Sequence, residues 1–533
     1  MLPKVNKMRW FNTAGPNRIA DNYTLPALAR LPEAHDLIAQ NAWLVLHAPR
    51  QTGKTTTMMA LAAELTASGK YAAIVASCET GAPFGQQPLV ALDGLFTSIA
   101  QNSLNSLPEA LRPPPQPAAS AGALVQWLSA WCGTCPIPVV ILLDEIDALQ
   151  DDALISVLRQ LRSIYPSRPQ AAPSTVALIG LRDVRDYKVA SGGSPHLGTQ
   201  SPFNVSVASL TLRSFTQDEV AQLYGQHTAE TGQIFADEAI QRAFYYTQGQ
   251  PWLVNALAYE MVTTQKIKDT LTADHVDHAK EQLILQRRTH LDSLADKLNE
   301  PRVRAVIEPI LTGQEVPFDL PQRDVEYCCD LGLIAKKPGE DLQIANPIYR
   351  EVLPRELTEP AMLRIRVGEM QNRWALPDGH LNLDGLLLEF VDFWHQHGEW
   401  MVRGQVWPEA AHQIVLMAFL QRIVNGGGWI EREYGLGTQR LDLLIRWHLQ
   451  RDKNGVPIRQ ERFALEVKVW RQGQGDPTTQ GLKQLDSYCE KLGLSAGTLI
   501  VFDARDSAPP YVERGVLGQT TSPAGRAVRV LRA

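Results

Sequence analysis

The run APRQTGKTT at 48–56 sets Gly53, Lys54 and Thr55 in succession, between the apolar stretch 42–46 and the helical run TTMMALAAEL. That order suits a polyphosphate. Glycine lets backbone N–H groups wrap phosphate oxygens at the positive end of a helix. The lysine reaches the β- and γ-phosphates as a mobile point charge, and the threonine hydroxyl can ligate Mg²⁺. Ala48 stands where this P-loop pattern usually carries its first glycine, which is tolerable if the position needs no positive φ. Gln51, Thr52 and Thr56 complete the loop. A second element, VVILLDEID at 139–147, delivers Asp144 at the end of a hydrophobic strand, where it can hold a Mg²⁺-bound water. Glu145 follows, placed to polarise an attacking water as general base. A strand-end acid pair is also what a helix cap beside a surface charge looks like; the upstream loop favours the catalytic reading. Asp147 reads as a polar structural neighbour. ATP and Mg²⁺ are the expected ligands.

A second constellation lies near the C-terminus. GTQRLDLLIRW at 437–447 and RFALEVKVW at 462–470 are apolar stretches joined by the polar turn RDKNGV. Asp442 falls near the start of the first. On the second, Glu466 and Lys468 are two apart and share one face, with Leu465, Val467 and Val469 on the other. A charged pair amid core residues costs desolvation unless it faces an open cleft. Asp442, Glu466 and the Val467 carbonyl could hold Mg²⁺, or Mn²⁺, while Lys468 positions or activates a water at a phosphodiester. Salt-bridged edge strands also produce E-x-K, so that pair alone is a weak signal.

The elements that must position these groups follow from periodicity. Apolar runs at 42–46, 71–76, 139–143 and 175–180, separated by helical patterns, are the signature of stacked β-α-β units. LRPPPQPAAS at 111–120 reads as a surface insertion, and SGGSPHLGTQ at 191–200 as a second loop. Helices dominate from about 215, where Thr216 is a candidate N-cap and Glu219 completes a capping box. Residues 302–352 read as two helices and a hairpin turning at Pro338–Gly339, the winged-helix order, which binds DNA in some proteins and only packs in others. A last domain begins near 380, with a helix at 409–424, the break NGGG and then strands. Expected boundaries are 1–212, 213–300, 301–358 and 380–533.

Composition bounds the rest. The chain has 533 residues, 44% hydrophobic and 20% charged, which suits several globular domains. The net charge of −6 is unevenly spread: 21 Lys+Arg against 19 Asp+Glu in 361–533 leave about −8 for 1–360. A generic polyanion binder is excluded, whereas a nucleic-acid role at the C-terminal end is permitted. Six cysteines cannot form a disulfide framework. Cys132 and Cys135 have no second pair at zinc spacing, and buried thiols are favoured. Trp131, Trp394 and Trp400 fit core or base-stacking roles alike. Without an export signal or membrane-length apolar run, a cytoplasmic protein is expected.

The N-terminal motifs resemble AAA+-like ATPases, particularly the branch related to archaeal ATPases and STAND NTPases. VALIGLRD is similar to that branch's strand ending in glycine, and Gly249-Gln250-Pro251 to the G-x-P element of its helical lid. The resemblance covers about 30–350. It implies that Pro251 lies near the nucleotide, that Arg182 or Arg185 acts as sensor or finger, and that a homo-oligomer completes the site. The C-terminal constellation looks like a PD-(D/E)xK nuclease, without the literal proline before Asp442. Gln484-x-x-x-Tyr488 is similar to the Q-x-x-x-Y element of RecB-type nucleases, and Glu409 is a candidate extra acid. The expected fold is α/β multidomain: a P-loop α/β ATPase core with helical lid, a winged-helix-like module and a restriction-endonuclease-like domain. The expected function is an ATP-regulated, metal-dependent nuclease acting on DNA, with defence against foreign DNA as a family-level role. The rival is a signalling or DNA-remodelling ATPase whose C-terminal domain only binds nucleic acid or protein.

Overall fold

A computed structural model describes residues 8–181, 208–286, 297–298, 300–312, 320–336, 342–353, 374–403, 412, 415–416, 419–420, 428–436, 439–451, 457–510 and 513–533. The chain divides into two compact units. The first comprises Met1–Phe235, Gln248–Tyr259 and Glu326–Gly332; the second comprises Ala236–Thr247, Glu260–Val325 and Leu333–Ala533.

The first unit is built on β1 (Leu44–His47), β2 (Ala72–Ser77), β3 (Val139–Asp144), β4 (Thr175–Gly180) and β5 (Ala208–Thr211), all parallel, in the order β2-β3-β4-β1-β5. The helices are α1 (Ala34–Ala39), α2 (Lys54–Ala67), α3 (Pro88–Ser106), α4 (Ala123–Thr134), α5 (Asp151–Ile164), α6 (Gln217–Thr231) and α8 (Pro251–Tyr259). Strand alternation sorts β3 between two cores. Val139, Ile141 and Leu143 join Phe96, Trp127 and Trp131 from α3 and α4. Val140 and Leu142 join Met58, Leu61 and Leu65 from α2. Each large apolar side chain so buried contributes roughly 1.5–3 kcal/mol. By the same alternation Asp144 belongs to the α2 face.

Other sequence expectations meet their elements. Residues 112–120 carry no helix or strand, and the insertion is pinned where the Trp127 indole N–H donates to the Pro114 carbonyl at 3.0 Å. Thr216 caps α6 by accepting from the Glu219 amide, while Glu219 accepts from the Thr216 amide at 2.8 Å. Residues 191–200 lie outside the described residues.

In the second unit, α7 (Asp237–Thr247) is joined to α9 (Ala273–Leu285) by Arg242, which donates to both oxygens of Asp277 at 2.8 Å. Next come α10 (Pro301–Thr312), α11 (Gln322–Asp330, which from Glu326 on belongs to the first unit) and the antiparallel pair β6 (Ile334–Ala335) and β7 (Gln343–Ile344). The expected turn at Pro338–Gly339 lies outside the described residues. Helix α12 (Leu383–Arg403) precedes β8 (Gly428–Leu436), β9 (Gln439–Arg451) and β10 (Pro457–Trp470). Helix α13 (Thr478–Leu492) leads to β11 (Ala496–Asp503), β12 (Val516–Thr521) and β13 (Ala527–Arg532). The sheet order is β12-β13-β11-β10-β9-β8. Phe390 and Trp394 of α12 pack on Leu465, Val467 and Phe502; Leu485 and Tyr488 of α13 pack with Leu444, Ala464 and Leu499 from the other face. Trp131 and Trp394 are therefore core residues. Among the described residues no helix is long and apolar enough to cross a membrane.

One glycine is indispensable to this packing. Gly249 has φ +73°, its carbonyl accepts the Phe215 amide at 2.9 Å, and a Cβ there would lie 1.9 Å from the Phe215 carbonyl oxygen. Gly232 has a similar φ of +77° with nothing within 4 Å of its Cβ position. Gly232→Ala is therefore expected to cost only the left-handed backbone penalty, about 1 kcal/mol. Gly249→Ala should cost several times more and lower the thermal unfolding midpoint further. Equal shifts in the two variants would show that the Phe215 contact imposes no constraint.

Candidate functional site

The phosphate-type loop leaves β1 at His47 and enters α2 at Lys54. Ala48 keeps a negative φ, so the missing glycine costs nothing there; the left-handed residues are Gln51 (φ +60°) and Gly53 (φ +87°). The loop is cross-linked internally. Thr52 Oγ1 donates to the Pro49 carbonyl at 2.8 Å, and Thr57 Oγ1 donates to the Gly53 carbonyl at 2.9 Å. The Lys54 ammonium donates to the carbonyls of Ala48 (2.7 Å) and Pro49 (2.8 Å). Burial lowers its pKa to about 8, against the attraction of Asp147 and Asp144.

Asp144 arrives where the sheet order and alternation send it. Helix α2 must connect β1 to β2, which lie three positions apart, so it crosses the face carrying β4 and β3. Its first turn meets the end of β3, and Thr55 Oγ1 donates to Asp144 Oδ2 at 2.6 Å. The other carboxylate oxygen accepts the Glu145 amide at 2.9 Å. Burial raises the Asp144 pKa, and the Thr55 hydrogen bond opposes the shift. Glu145 turns away from this face because its backbone is left-handed, φ +57°, an uncommon conformation for a non-glycine residue. Its carboxylate accepts the Ser77 hydroxyl at 2.8 Å. Desolvation raises its pKa too.

No individual signal in the sequence marks Ser77. It ends β2 in register with Asp144, and only the strand pairing makes it a neighbour of Glu145. Two further contacts were unmarked. The Asn17 amide donates to Thr56 Oγ1 at 3.1 Å, and the Trp252 indole donates to the Thr13 carbonyl at 2.9 Å. Residues 13–17 thus reach both the first turn of α2 and the start of α8. Pro251 is buried at the first position of α8, and the Gln250 side chain accepts the Leu253 amide at 2.6 Å. Arg182 and Arg185 lie outside the described residues.

In the C-terminal sheet, β9 and β10 pair antiparallel, and their register ends with Leu465 opposite Leu443, next to Asp442 and Glu466 in sequence. Lys468 Nζ donates to Glu466 Oε1 at 2.6 Å. Contrary to the open cleft expected for this pair, Glu466 is 1% exposed. The cause is α13: a Cβ on Gly481 would sit 3.5 Å from Lys468 Cγ, so the helix lies over this face. Gln484 is on the same side of α13, one turn on, and its buried Oε1 has no hydrogen-bond partner among the described residues. Glu409 lies outside the described residues, as does the Asp442 side chain. Among the described residues no group of three or more His, Cys, Asp or Glu side chains could hold a metal ion. Burial raises the Cys132 and Cys135 thiol pKa values, as expected for structural thiols.

The parallel five-stranded sheet, its helices and this loop fit a P-loop α/β ATPase core. No family model and no curated protein matches the chain. Among solved structures it is similar to a Walker-type ATPase of Pyrococcus abyssi, at 13% identity over 64% of this chain and 99% of that one, with a TM-score of 0.46. It is also similar to RuvB of Thermotoga maritima (17% identity, 60% and 90%, TM-score 0.33) and to Cdc6p of Pyrobaculum aerophilum (15%, 66% and 97%, 0.33). The P-loop assignment stands on the loop and sheet geometry.

The raised pKa of Asp144 has a stability consequence. An acid whose folded pKa exceeds its unfolded value is destabilising while ionised, and the penalty disappears as pH falls through the folded value. Asp144→Asn keeps an oxygen for the Glu145 amide, its NH2 can donate to the Thr55 hydroxyl, and the buried charge is removed. It should raise the unfolding midpoint at pH 7, with the gain fading towards pH 4. A variant less stable than wild type at pH 7 would contradict this account.

Proposed function

We propose that the protein binds and hydrolyses ATP at the P-loop and that its C-terminal domain is a metal-dependent nuclease acting on DNA under ATP control. The observation that carries the first half is the joint placement of Lys54, Thr55, Asp144 and Glu145 at one end of a parallel sheet. Thr55 and Asp144 offer hard oxygen donors 2.6 Å apart, a donor set that fits Mg²⁺. Thr55 and Asp144 would hold the ion, whose positive charge would offset the charge developing at the reacting phosphate. The chain's own groups do the rest. Lys54 exchanges loop carbonyls for phosphate oxygens, Gly53 leaves the backbone free to approach them, and Ser77 orients the Glu145 carboxylate that takes a proton from water. The pKa of Glu145, raised by desolvation, brings it nearer the working pH of a general base. In the AAA+-like reading, nucleotide promotes a homo-oligomer, and Pro251 and Arg182 respond to the γ-phosphate.

For the C-terminal half, the supporting features are the α-β-β-β-α-β order, the antiparallel pairing of β9 with β10 as far as Leu443 and Leu465, and the buried Gln484 Oε1, which has no hydrogen-bond partner among the described residues. Asp442, Glu466 and, as an extra acid, Glu409 would hold Mg²⁺ or Mn²⁺, and Lys468 would work on the attacking water. Gln484 would contact the site from α13. One observation favours a second reading. The burial of Glu466 in an ion pair with Lys468 suits a domain that only binds nucleic acid or protein, serving a signalling or DNA-remodelling ATPase.

Lys54→Ala is expected to abolish tight ATP binding, whereas Glu145→Gln should keep binding and lose at least 100-fold in turnover, about 2.7 kcal/mol. Isothermal titration with a steady-state ATPase assay separates the two, and full turnover in Glu145→Gln would remove its role as base. For the nuclease, Glu466→Gln and Lys468→Ala should each eliminate Mg²⁺- or Mn²⁺-dependent plasmid nicking while leaving ATP hydrolysis within twofold. Wild-type protein that cuts neither DNA nor RNA with any nucleotide and metal would leave the binding reading.

A further inference from the structure

Arg30 lies 23 positions before the first glycine of the loop, and no motif marks it. It is 8% exposed. Burial lowers the pKa of its guanidinium, but only to about 10, so it remains a cation at neutral pH. A buried cation needs partners, and two of them, Thr52 and Thr57, belong to the loop and to the first turn of α2. Nη1 donates to the Thr52 carbonyl at 2.9 Å and to the Arg213 carbonyl at 3.0 Å, and Nη2 donates to Thr57 Oγ1 at 3.4 Å. The guanidinium carbon sits 4.9 Å from the centre of the Phe215 ring.

The Thr52 contact has a geometric consequence. The carbonyl of Thr52 and the N–H of Gly53 belong to one planar trans peptide, so they point in opposite directions. Holding the carbonyl on Arg30 turns the Gly53 N–H away from the core, towards the concave side of the loop where phosphate oxygens bind. Gly53 tolerates either sign of φ, so its own backbone preference does not select this orientation. A Cβ at Gly53 would come within 3.1 Å of Arg30 Nη2, so the glycine and the arginine fit each other. The Arg213 contact leads outward. Two residues on, the Phe215 amide donates to the Gly249 carbonyl at 2.9 Å, and Gly249 opens the Gly249-Gln250-Pro251 turn into α8. The strap from 213 is itself fixed by two hydrogen bonds between the Arg213 side chain and Glu219, at 2.6 and 2.8 Å.

We propose that Arg30 is a positioning residue: it fixes the Thr52–Gly53 peptide with its N–H towards the phosphates and ties that peptide, through Arg213 and Phe215, to the Gly249–Pro251 turn. The inference rests on the ATPase reading but assigns Arg30 no contact with substrate. Its effect therefore falls on binding and on transmission to α8, and not on the chemical step.

The test compares wild type with Arg30→Lys, which keeps the charge but not the fork of donors. ADP affinity is measured by calorimetry, KM and kcat by ATP hydrolysis, and hydrogen exchange in 249–259 with and without ADP. Arg30→Lys is expected to weaken ADP binding and raise KM at least tenfold, with kcat within threefold, and to lose the ADP-induced protection of 249–259. A merely structural role would lower the folded fraction and kcat together, with KM and induced protection unchanged; that result overturns the proposal, as does unchanged ADP affinity. If Arg30→Lys does not fold, Phe215→Leu removes the ring beneath the guanidinium and should raise the ADP dissociation constant severalfold, and no change there is equally fatal. Wild-type protein that binds no ADP or ATP would instead remove the ATPase reading itself.

Discussion

The hydrogen bond from Thr55 to Asp144 is the polar joint between two parts of the chain that otherwise meet through apolar packing, Met58, Leu61 and Leu65 against Val140 and Leu142. One is the first turn of a helix and the other the last residue of a strand, 89 positions apart. Their meeting requires a strand order that leaves β4 between β1 and β3, a helix that crosses over both, and a β3 that ends on the correct parity. Both apolar cores serve that requirement. The bond also determines how much charge the sheet edge carries, because burial discourages ionisation of Asp144 while the hydroxyl favours it.

Charge is treated differently at the two ends of the protein. Around the P-loop each buried ionic group has backbone or hydroxyl partners: Lys54 has carbonyls, Arg30 has carbonyls, and Asp144 has a hydroxyl and an amide. Such neutral partners leave the ions available to an incoming polyanion or cation. In the C-terminal sheet, Glu466 and Lys468 neutralise each other beneath α13. An ion pair of that kind is costly to break by removing one member, and entry of a metal must compete with the lysine for the carboxylate.

Much of the first unit was legible because β3 and its neighbours are short, uninterrupted apolar runs, and buried parallel strands leave that trace. Expected and observed limits differ by one or two residues at β1, β2 and β3 and agree at β4. The capping box at Thr216 was readable because both partners lie within four residues. What was not readable depends on pairing across the fold. Ser77 is one serine at a strand end until β2 is placed beside β3, and Arg30 is one arginine in a short helical turn until Thr52 and Arg213 close around it. Strand β5 escaped because its residues alternate between half-buried and exposed at the sheet edge, without an apolar run. In the C-terminal domain the parity of Glu466 and Lys468 was legible, whereas the helix that covers them was recognisable only as a helix, not by its position.

The cation inside the loop sets a limit on what the loop can recognise. Lys54 already occupies the carbonyls of Ala48 and Pro49, so the cradle is held in shape by its own side chain. On the proposed ATPase reading, a phosphate chain arriving there would exchange one set of oxygens for another, and the first two phosphates of a spent and a fresh nucleotide would look alike to it. Discrimination between them must come from the rim, where Asp144, Glu145 and Ser77 meet whatever lies beyond the second phosphate. On the proposed ATPase reading, the timer is therefore written at the sheet edge, and the loop beneath it serves as the grip.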